Sequence, residues 1–348
     1  MMLTEMNAAV LYGQEDVRIE RLPIPRPETG EIVVEVQAAL TCGTDLKTYR
    51  RGYHAKMLEL PALFGHELAG TVHEVAPTVT KFAPGMRVVA LNSAPCGTCF
   101  FCERRQENLC DDLLFNNGAY AEYIRVPARI VEKNTLLVPH HVPIEHAALT
   151  EPLACVVRGL EESGARAGDT VAIIGAGPIG LMFMHAAELS GLYVIAVVKR
   201  PEQVASAKLF GARDVVRTGG SRNMASAVRS LTPANRGVDI AIDAAATTTT
   251  WEWAVDMVRK GGTVNFFGGC ALGTKVALDT NRLHYNDITL KASFHHTPAT
   301  CRRAFDLVAS GRFKCSEYIT GRAGLLELNS VLRKLMDRSS DIKTAIIP

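Results

Sequence analysis

The sequence has little excess of charge of either sign. Its 348 residues include 38 Lys and Arg against 36 Asp and Glu, which gives a formal net charge of +2. Because no strong field of one sign is expected, the composition gives no reason to expect a nucleic acid or an acidic membrane as a partner. Hydrophobic residues make up 47% of the chain and charged residues 21%, so a large core can be buried. A small-molecule enzyme fits this composition best.

Long apolar segments that would target or cross a membrane are also missing. Charged side chains such as Glu5 and Asp16 interrupt the N-terminal region, so no signal segment is recognisable and we expect a cytoplasmic protein. The most apolar stretch, residues 170–198, contains Pro178 and several glycines. This stretch predicts two buried strands around a helix rather than a membrane span.

Repeats and low-complexity tracts are absent, but the apolar pattern divides the chain. Its length exceeds the usual limit for one compact core, so two domains are expected. Residues 10–89 show short alternating runs broken by Pro and Gly, which predict an all-β region. From Asp169 onward, apolar strands alternate with helical segments, which predicts a parallel, doubly wound sheet. The predicted strands are 170–174, 193–198, 214–216, 239–243, 263–267 and 289–292, with helices near 178–190, 201–210, 221–231 and 248–259.

The strand and helix alternation stops after Ala292. The segments 300–310 and 325–337 have the pattern of amphipathic helices, and an apolar strand at 343–347 ends the chain. We expect this tail to return to the first domain.

Four of the nine cysteines crowd into one loop, and nine are too few for a disulfide framework in a chain of this length. Cys96, Cys99, Cys102 and Cys110 follow the spacing C-x2-C-x2-C-x7-C. Four thiolates at such spacing can close a tetrahedron around Zn²⁺ with no open position, which is typical of a structural site. An iron–sulfur cluster can also take four cysteines, but the surrounding pattern does not favour one.

A glycine-rich turn follows the predicted strand 170–174 and opens a helix. It reads Gly175-Ala-Gly177-Pro178-Ile179-Gly180. In this context the pattern predicts a dinucleotide-binding turn, in which the first glycine permits the tight turn and the second lets the pyrophosphate approach the backbone. The third glycine allows close packing of helix on strand, and the phosphates are expected at the positive helix terminus.

The end of the next strand bears on the choice of cofactor. An enzyme that uses NAD normally has Asp or Glu there, whereas this chain has Val198 followed by Lys199 and Arg200. Without the carboxylate a 2′-phosphate is not repelled, and two cations can hold it, so the sequence favours NADP over NAD. The alternative is that both cations are ordinary solvated charges and the cofactor is NAD.

A second candidate metal set is dispersed along the chain and consists of Cys42, His66, Glu67 and Glu151. A Cys, a His and a carboxylate from separate loops can hold zinc and leave one position for water or substrate. By itself this signal is weak, because a His-Glu dipeptide at a strand edge is more often a surface or core feature.

Taken together, the motifs resemble those of zinc-containing medium-chain alcohol dehydrogenases. They are Cys42-Gly-Thr-Asp, Gly65-His66-Glu67, the four-cysteine loop, Glu151-Pro152 and the glycine-rich turn, in the order in which that family shows them. The resemblance spans essentially the whole chain and is greatest to the polyol (sorbitol) and threonine dehydrogenase branch. It implies an α/β protein with a GroES-like β-barrel catalytic domain over 1–155, a Rossmann domain over 156–292 and a return to the catalytic domain over 293–348.

The resemblance further implies a catalytic zinc held by Cys42, His66 and either Glu67 or Glu151, beside the structural zinc. Such a zinc acts as a Lewis acid on the alcohol or ketone oxygen while hydride passes to or from the nicotinamide. The family's carboxylate ligands can exchange during turnover.

The implied proton path is incomplete. Thr44 occupies the position at which the family's Ser or Thr passes the alcohol proton toward solvent. Many relatives continue that path with a His where this chain has Lys47. Lys47, His54 or water can take its place, and the sequence does not choose among them.

The expected substrate pocket also departs from the family pattern. Phe294-His295-His296 stands where polyol dehydrogenases of this branch have Phe-Arg-Tyr. Histidines can bind several hydroxyls, which keeps a polyol, cyclitol or sugar derivative as the expected substrate, although the pair can equally cap a strand. Tyr49 and Phe64 are expected to line the same cleft.

The resemblance implies a homodimer or homotetramer. Two other functions remain open. The first is an L-threonine 3-dehydrogenase, which the absence of His at position 47 weakens. The second is a catalytically silent structural or binding member of the family, against which the intact Cys42, His66 and Glu67 argue.

Overall fold

The computed structural model describes residues 4–54, 56–219, 223–337 and 341–348. The chain divides into two compact units. Unit 1 is formed by residues 1–154 and 296–348, and unit 2 by residues 155–295. The chain therefore leaves unit 1 once and returns to it.

The N-terminal part of unit 1 consists mainly of β-strands. They are β1 (Glu5–Gly13), β2 (Asp16–Pro23), β3 (Ile32–Leu40), β4 (Ala62–Leu63), β5 (Leu68–Val75), β6 (Arg87–Ala90), β7 (Ser93–Ala94), β8 (Leu114–Phe115), β9 (Tyr123–Val126) and β10 (Thr135–Leu137). The helices are α1 (Gly43–Arg51), α2 (Phe100–Glu103), α3 (Ala128–Asn134), α4 (Ile144–Ala148) and α5 (Thr150–Glu162), of which α5 runs on into unit 2.

Helix α1 corrects the expectation of an all-β region over residues 10–89. The side chain of Cys42 accepts from the backbone N–H of Thr44, and Gly52 ends the helix in the left-handed conformation. These two caps provide hydrogen-bond partners for backbone groups at both ends of this nine-residue polar helix. The helix was missed because its sequence carries few apolar residues and therefore no helical apolar period.

Unit 2 contains the doubly wound sheet that the strand and helix alternation predicts, and this prediction is confirmed. Its strands are β11 (Thr170–Ile174), β12 (Tyr193–Val198), β13 (Asp214–Arg217), β14 (Val238–Asp243), β15 (Val258–Phe266) and β16 (Thr289–Ala292). Its helices are α6 (Pro178–Leu189), α7 (Gln203–Leu209), α8 (Met224–Arg229), α9 (Thr248–Met257) and α10 (Thr280–Tyr285). Residues 221–222 of the helix expected near 221–231 lie outside the described residues.

All strand pairs in unit 2 are parallel, in the order β13-β12-β11-β14-β15-β16. The central strands β11 and β14 are almost entirely buried. Their sequences are mainly apolar because helices cover both faces of a parallel sheet and bury its strands. In sheets of this kind, ligands bind at the carboxyl ends of the strands, beside the point where the strand order reverses.

The C-terminal part of unit 1 adds α11 (Pro298–Ala309), β17 (Ile319–Gly324), α12 (Leu328–Met336) and β18 (Lys343–Ile347). A seven-stranded sheet has the order β10-β6-β5-β3-β18-β17, and β9 also pairs with β3. The other sheets are β2-β1-β4 and β7-β8. Strand β18 pairs with β3, so the last strand of the chain lies beside the strand that ends two residues before Cys42. Residues 296–348 thus belong to the same compact unit as the N-terminal strands.

Among the helices in the described ranges, none has both the length and the apolar character needed to cross a bilayer.

Candidate metal centres and cofactor site

Three residues of unit 1 bring possible metal-ligand atoms close together. Donor atoms of Cys42, His66 and Glu67 all lie within 4.8 Å of one another. Cys42 caps helix α1, where the N–H of Thr44 lies 3.4 Å from its sulfur. His66 and Glu67 directly precede β5 and are 4% and 0% exposed. A thiolate, an imidazole and a carboxylate gathered in a buried place form a donor set that fits Zn²⁺.

A buried carboxylate orients His66. The Nδ1 atom of His66 lies 2.8 Å from Oδ1 of Asp45, and the hydroxyl of Tyr120 donates to Oδ2 of Asp45 at 2.7 Å. Burial lowers the pKa of His66, but the attraction of Asp45 and Cys42 outweighs it and holds the pKa well above its usual value. The sequence did not single out Asp45 or Tyr120, although carboxylates of this kind commonly hold a metal-ligating His.

Gly65 allows this arrangement. Its φ is +88°, and a Cβ atom at this position would lie 2.6 Å from the ring of Tyr120. A larger residue would therefore displace the ring that holds Asp45. The glycine before His66 thus has a structural role in the donor set.

Glu67 forms a buried ion pair with Lys343. The ammonium Nζ lies 2.8 Å from Oε1 and 2.6 Å from Oε2, and it also donates to the carbonyl oxygen of Thr41 at 2.9 Å. Burial raises the pKa of Glu67 above its usual value, and Lys343 opposes this effect. Both carboxylate oxygens therefore already face a cation.

Glu151 lies in the first turn of α5 and is 5% exposed. Burial raises its pKa to about 7, while the charge of His66 lowers it and that of Glu67 raises it further. Its Oε1 atom lies 3.9 Å from Nε2 of His296. It is thus a second carboxylate in the electrostatic surroundings of Cys42 and His66 without belonging to their compact donor set.

The four-cysteine loop brings its sulfurs together as a tetrahedral site requires. All four lie within 4.8 Å of one another, with 3.9 Å between the sulfurs of Cys96 and Cys102 and 3.8 Å between those of Cys99 and Cys110. Zn–S bonds of about 2.3 Å in a tetrahedron place sulfurs about 3.8 Å apart. The N–H of Thr98 holds the pKa of Cys96 down, to about 6, which favours the thiolate that binds metal. The donor set fits zinc.

The glycine-rich turn of unit 2 joins β11 to α6. Gly175 has φ +103°, and a Cβ atom on Gly180 would lie 1.9 Å from the carbonyl oxygen of Gly175, so both positions require glycine. A Cβ atom on Gly177 would meet nothing within 4 Å. This open space lies at the residue that caps α6, with Pro178 in its first turn and Ile179 next. An anion can approach the backbone here.

The segment after β12 is tied to the same turn. The side chain of Gln203 accepts from the N–H groups of Lys199 and Arg200 and donates to the carbonyl oxygen of Ala176. Val198 is fully buried at the end of the strand, and Nε of Arg200 lies 3.3 Å from Oε1 of Glu202. No carboxylate stands at the strand end itself.

The remaining predicted site residues differ in their burial and in the unit to which they belong. Tyr49 and Phe64 are 1% exposed members of the apolar core of unit 1, which favours a packing role over substrate contact. Thr44 lies in the first turn of α1, while Lys47 is exposed. Phe294 and His295 belong to unit 2, with His295 at φ 67°, and His296 belongs to unit 1.

His54 is the candidate for the proton path whose surroundings differ most from those of Lys47. It is half-buried, and its Nδ1 atom accepts from the N–H groups of Lys56 and Met57 at 3.1 and 2.9 Å. Burial lowers its pKa, and the charge of His66 lowers it further. Because Nδ1 accepts these two bonds, the proton of the neutral ring lies on Nε2, which is left as a donor.

Comparisons with known proteins agree in both units. The profile of the alcohol dehydrogenase GroES-like domain matches residues 28–139, and that of zinc-binding dehydrogenases matches residues 178–310. A D-arabitol-phosphate dehydrogenase from Enterococcus avium is 31% identical over 96% of this chain and 94% of its own. An L-threonine 3-dehydrogenase from Pyrococcus furiosus is 33% identical over 81% of this chain and 79% of its own. A sorbitol dehydrogenase from Bacillus subtilis is 28% identical over 99% and 97%.

Solved structures are similar over almost the whole chain. A zinc-binding dehydrogenase from Sinorhizobium meliloti 1021, bound to NADP, has a TM-score of 0.90 and 30% identity over 99% of this chain and all of its own. An alcohol dehydrogenase from Thermus sp. ATN1 has a TM-score of 0.88 and 29% identity over 98% of this chain and 99% of its own.

Proposed function

The chain belongs to the zinc-containing medium-chain alcohol dehydrogenase family and is an oxidoreductase that acts on alcohols with a nicotinamide cofactor, and we propose that its substrate is a polyol, cyclitol or sugar derivative. The reaction would interconvert one secondary hydroxyl and the corresponding ketone. The observation that carries this proposal is the buried donor set of Cys42, His66 and Glu67. Relatives named for sorbitol and D-arabitol phosphate support the substrate class.

We propose that Cys42, His66 and Glu67 hold the catalytic zinc, with Glu151 as the carboxylate that exchanges with Glu67. When bound, the zinc supplies a Lewis acid that stabilises negative charge on the substrate oxygen. Asp45 accepts from Nδ1 of His66 and so leaves Nε2 with a free lone pair for the metal.

The residues of the chain also determine how the proton leaves. The Thr44 hydroxyl would accept the proton of the alcohol and pass one on to water, because Nδ1 of His54 already accepts from two backbone N–H groups and its Nε2 therefore carries the ring proton. Lys47 is exposed, whereas the ligand residues His66 and Glu67 are buried, so Lys47 is less suited to this path. The Cys42 sulfur lies at the N-terminus of α1 and accepts from the backbone N–H of Thr44.

For the cofactor we propose NADP in preference to NAD. The pyrophosphate would lie against Gly177 at the start of α6, and Lys199 and Arg200 would hold the 2′-phosphate. The surface pair between Arg200 and Glu202 is weak enough to be given up for a phosphate. The four-cysteine loop would hold a second, structural zinc. A homodimer or homotetramer in the reducing cytoplasm, where the ligand thiols stay free, completes the proposal.

A second candidate, L-threonine 3-dehydrogenase, is favoured by the 33% identity to the Pyrococcus enzyme. One experiment separates the candidates. The zinc-loaded protein would be tested with sorbitol, xylitol, myo-inositol, L-threonine and 2-butanol, with NADP and NAD in parallel, by the absorbance of the reduced nicotinamide. The proposal predicts the highest kcat/KM with a polyol or cyclitol. A highest value with threonine would replace it by the second candidate, and no turnover by a zinc-loaded protein would indicate a catalytically silent member.

A further inference from the structure

A buried side chain near Glu151 has a hydrogen-bond donor that the fold does not use. Asn92 lies between β6 and β7 and is 3% exposed. Its Oδ1 atom lies 3.1 Å from Nε2 of His296, whereas its Nδ2 atom has no hydrogen-bond partner among the described residues. Buried amide donors are rarely left unpaired, because they lose their water and gain nothing in return.

The orientation of this amide is determined by a chain of contacts. The sulfur of Cys301, in α11, lies 3.2 Å from Nδ1 of His296. Burial raises the pKa of Cys301 well above its usual value, so the residue is a thiol whose S–H donates to Nδ1. The proton of the neutral ring is then on Nε2, which donates to Oδ1 of Asn92. The amide must therefore keep its NH₂ group on the side away from the imidazole.

The surroundings of His296 agree with this assignment. Both oxygens that face Nε2, Oδ1 of Asn92 at 3.1 Å and Oε1 of Glu151 at 3.9 Å, are hydrogen-bond acceptors. With both ring nitrogens engaged, His296 is a poorer substrate ligand than its position in the sequence suggests. The NH₂ group of Asn92 is the donor that remains.

We propose that Asn92 determines substrate specificity by donating a hydrogen bond from Nδ2 to a second oxygen of the substrate, and that His296 and Cys301 are positioning residues that fix the amide. The ligand class is an alcohol with a further hydroxyl or carbonyl oxygen on the carbon next to the reacting one. This inference rests on the proposed function and specifies which part of the substrate is recognised, namely the oxygen on the carbon next to the reacting one. Asn92 and Glu151 both lie close to Nε2 of His296, at 3.1 and 3.9 Å, and on this ground the proposal places the second oxygen next to the reacting carbon.

A matched pair of alcohols tests this role. 2,3-Butanediol and 2-butanol differ only in the second hydroxyl, so the ratio of their kcat/KM values isolates its contribution. The wild type is expected to prefer the diol by at least tenfold, since a site built to hydrogen-bond a hydroxyl rejects the analogue without it. Asn92→Leu, of similar size without a donor, should lose this preference because kcat/KM falls more for the diol than for 2-butanol. Asn92→Asp, which keeps an acceptor for His296, should also lose it.

The positioning role has its own test. Cys301→Ala removes the donor to Nδ1 and lets the ring change tautomer, so the diol preference should fall severalfold. Cys301→Ser keeps an O–H donor and should restore most of it. A purely structural role predicts the same ratio in both variants, together with equal losses for the two alcohols.

Several results would overturn the inference. They are a wild type without diol preference, an Asn92→Leu variant that retains it, and a variant that loses both activities equally at unchanged zinc content. If the wild type turns over neither alcohol nor any of the polyols named above, the proposed function fails. Calorimetric binding of the two butanols to the zinc-loaded protein then decides, because tighter binding of the diol that Asn92→Leu abolishes supports the role of Asn92, and equal binding contradicts it.

Discussion

The ammonium of Lys343 lies 2.6 and 2.8 Å from the two carboxylate oxygens of Glu67, although the two residues are 276 positions apart in the sequence. The two side chains are 1% and 0% exposed. Burial lowers the pKa of Lys343, but the charge of Glu67 outweighs it and raises the pKa above its usual value. Strand β18 thus supplies the cation that pairs with Glu67 beside Cys42 and His66.

Removing this cation should destabilise the protein strongly. Lys343→Met leaves the carboxylate of Glu67 buried and unpaired, which costs about 3–5 kcal/mol. We expect that loss in urea unfolding of chelator-treated protein, and a smaller one with zinc bound, because the metal then offsets the charge of Glu67. Lys343→Met combined with Glu67→Gln should recover most of the stability. The exposed Lys334→Met in α12 is the control, and equal effects at the two lysines would contradict the importance of the pair.

The two carboxylates near the metal should behave differently. Donor atoms of Glu67 lie with those of Cys42 and His66, whereas Glu151 stands outside that set. Glu67→Gln should therefore weaken zinc binding at least tenfold, in line with losses of about 10–100-fold for groups that support a metal. Glu151→Gln should retain zinc and lower kcat. Zinc titration of both variants measures these affinities. Repeating Glu67→Gln in the Lys343→Met background distinguishes the loss of a zinc ligand from the loss of the ion pair with Lys343. The opposite order would make Glu151 the resting ligand.

The parts of the fold and of the candidate site that could be predicted from the sequence are those that depend on residues close together in the chain. The strands of unit 2 follow from apolar runs of a few residues, and β11, β12 and β16 begin and end where the sequence placed them. The glycine-rich turn and the four-cysteine loop are also local patterns, so their spacing was enough to single them out as candidate sites. The candidate ligands Cys42, His66 and Glu67 could be chosen only because the family resemblance joined separate motifs.

The residues that the sequence did not reveal act through distant partners. Tyr120 meets Asp45 across 75 positions, and His296 meets Asn92 across 204. No spacing rule connects such pairs, because only the folded sheet and the return of the tail bring them together. Asp45 was the easiest of these residues to predict from the sequence. It is a carboxylate three residues after the candidate ligand Cys42, and carboxylates commonly hold a metal-binding His.

The four-cysteine loop should contribute to stability rather than to the reaction. Cys99→Ser removes one of four ligands from a site whose metal orders the loop, so the melting temperature should fall by several degrees. kcat of the remaining folded protein should change less than about twofold, since a closed four-thiolate site leaves no position for substrate. Calorimetry and zinc analysis test this, with Cys270→Ser as a control outside the loop. Full stability with unchanged zinc content would show that the loop holds no structural metal.

The cofactor preference should depend on Arg200. We expect the wild type to have a higher kcat/KM with NADP than with NAD, and Arg200→Ala to reduce that ratio at least tenfold, because a charge-assisted hydrogen bond to the 2′-phosphate is lost. Lys208→Ala, an exposed cation in the last turn of α7, should leave the ratio unchanged. A wild type that strongly prefers NAD would reject the assignment of Lys199 and Arg200 to the phosphate.

The central claim, that an electrophilic metal is held by Cys42 and His66, is tested most directly by zinc content and turnover of one double variant. The wild type should bind two zinc ions per chain, and Cys42→Ser combined with His66→Ala should bind one, with the four-cysteine site intact and kcat/KM reduced at least a thousandfold. Two bound ions in the double variant, or undiminished turnover of the preferred alcohol, would contradict the account.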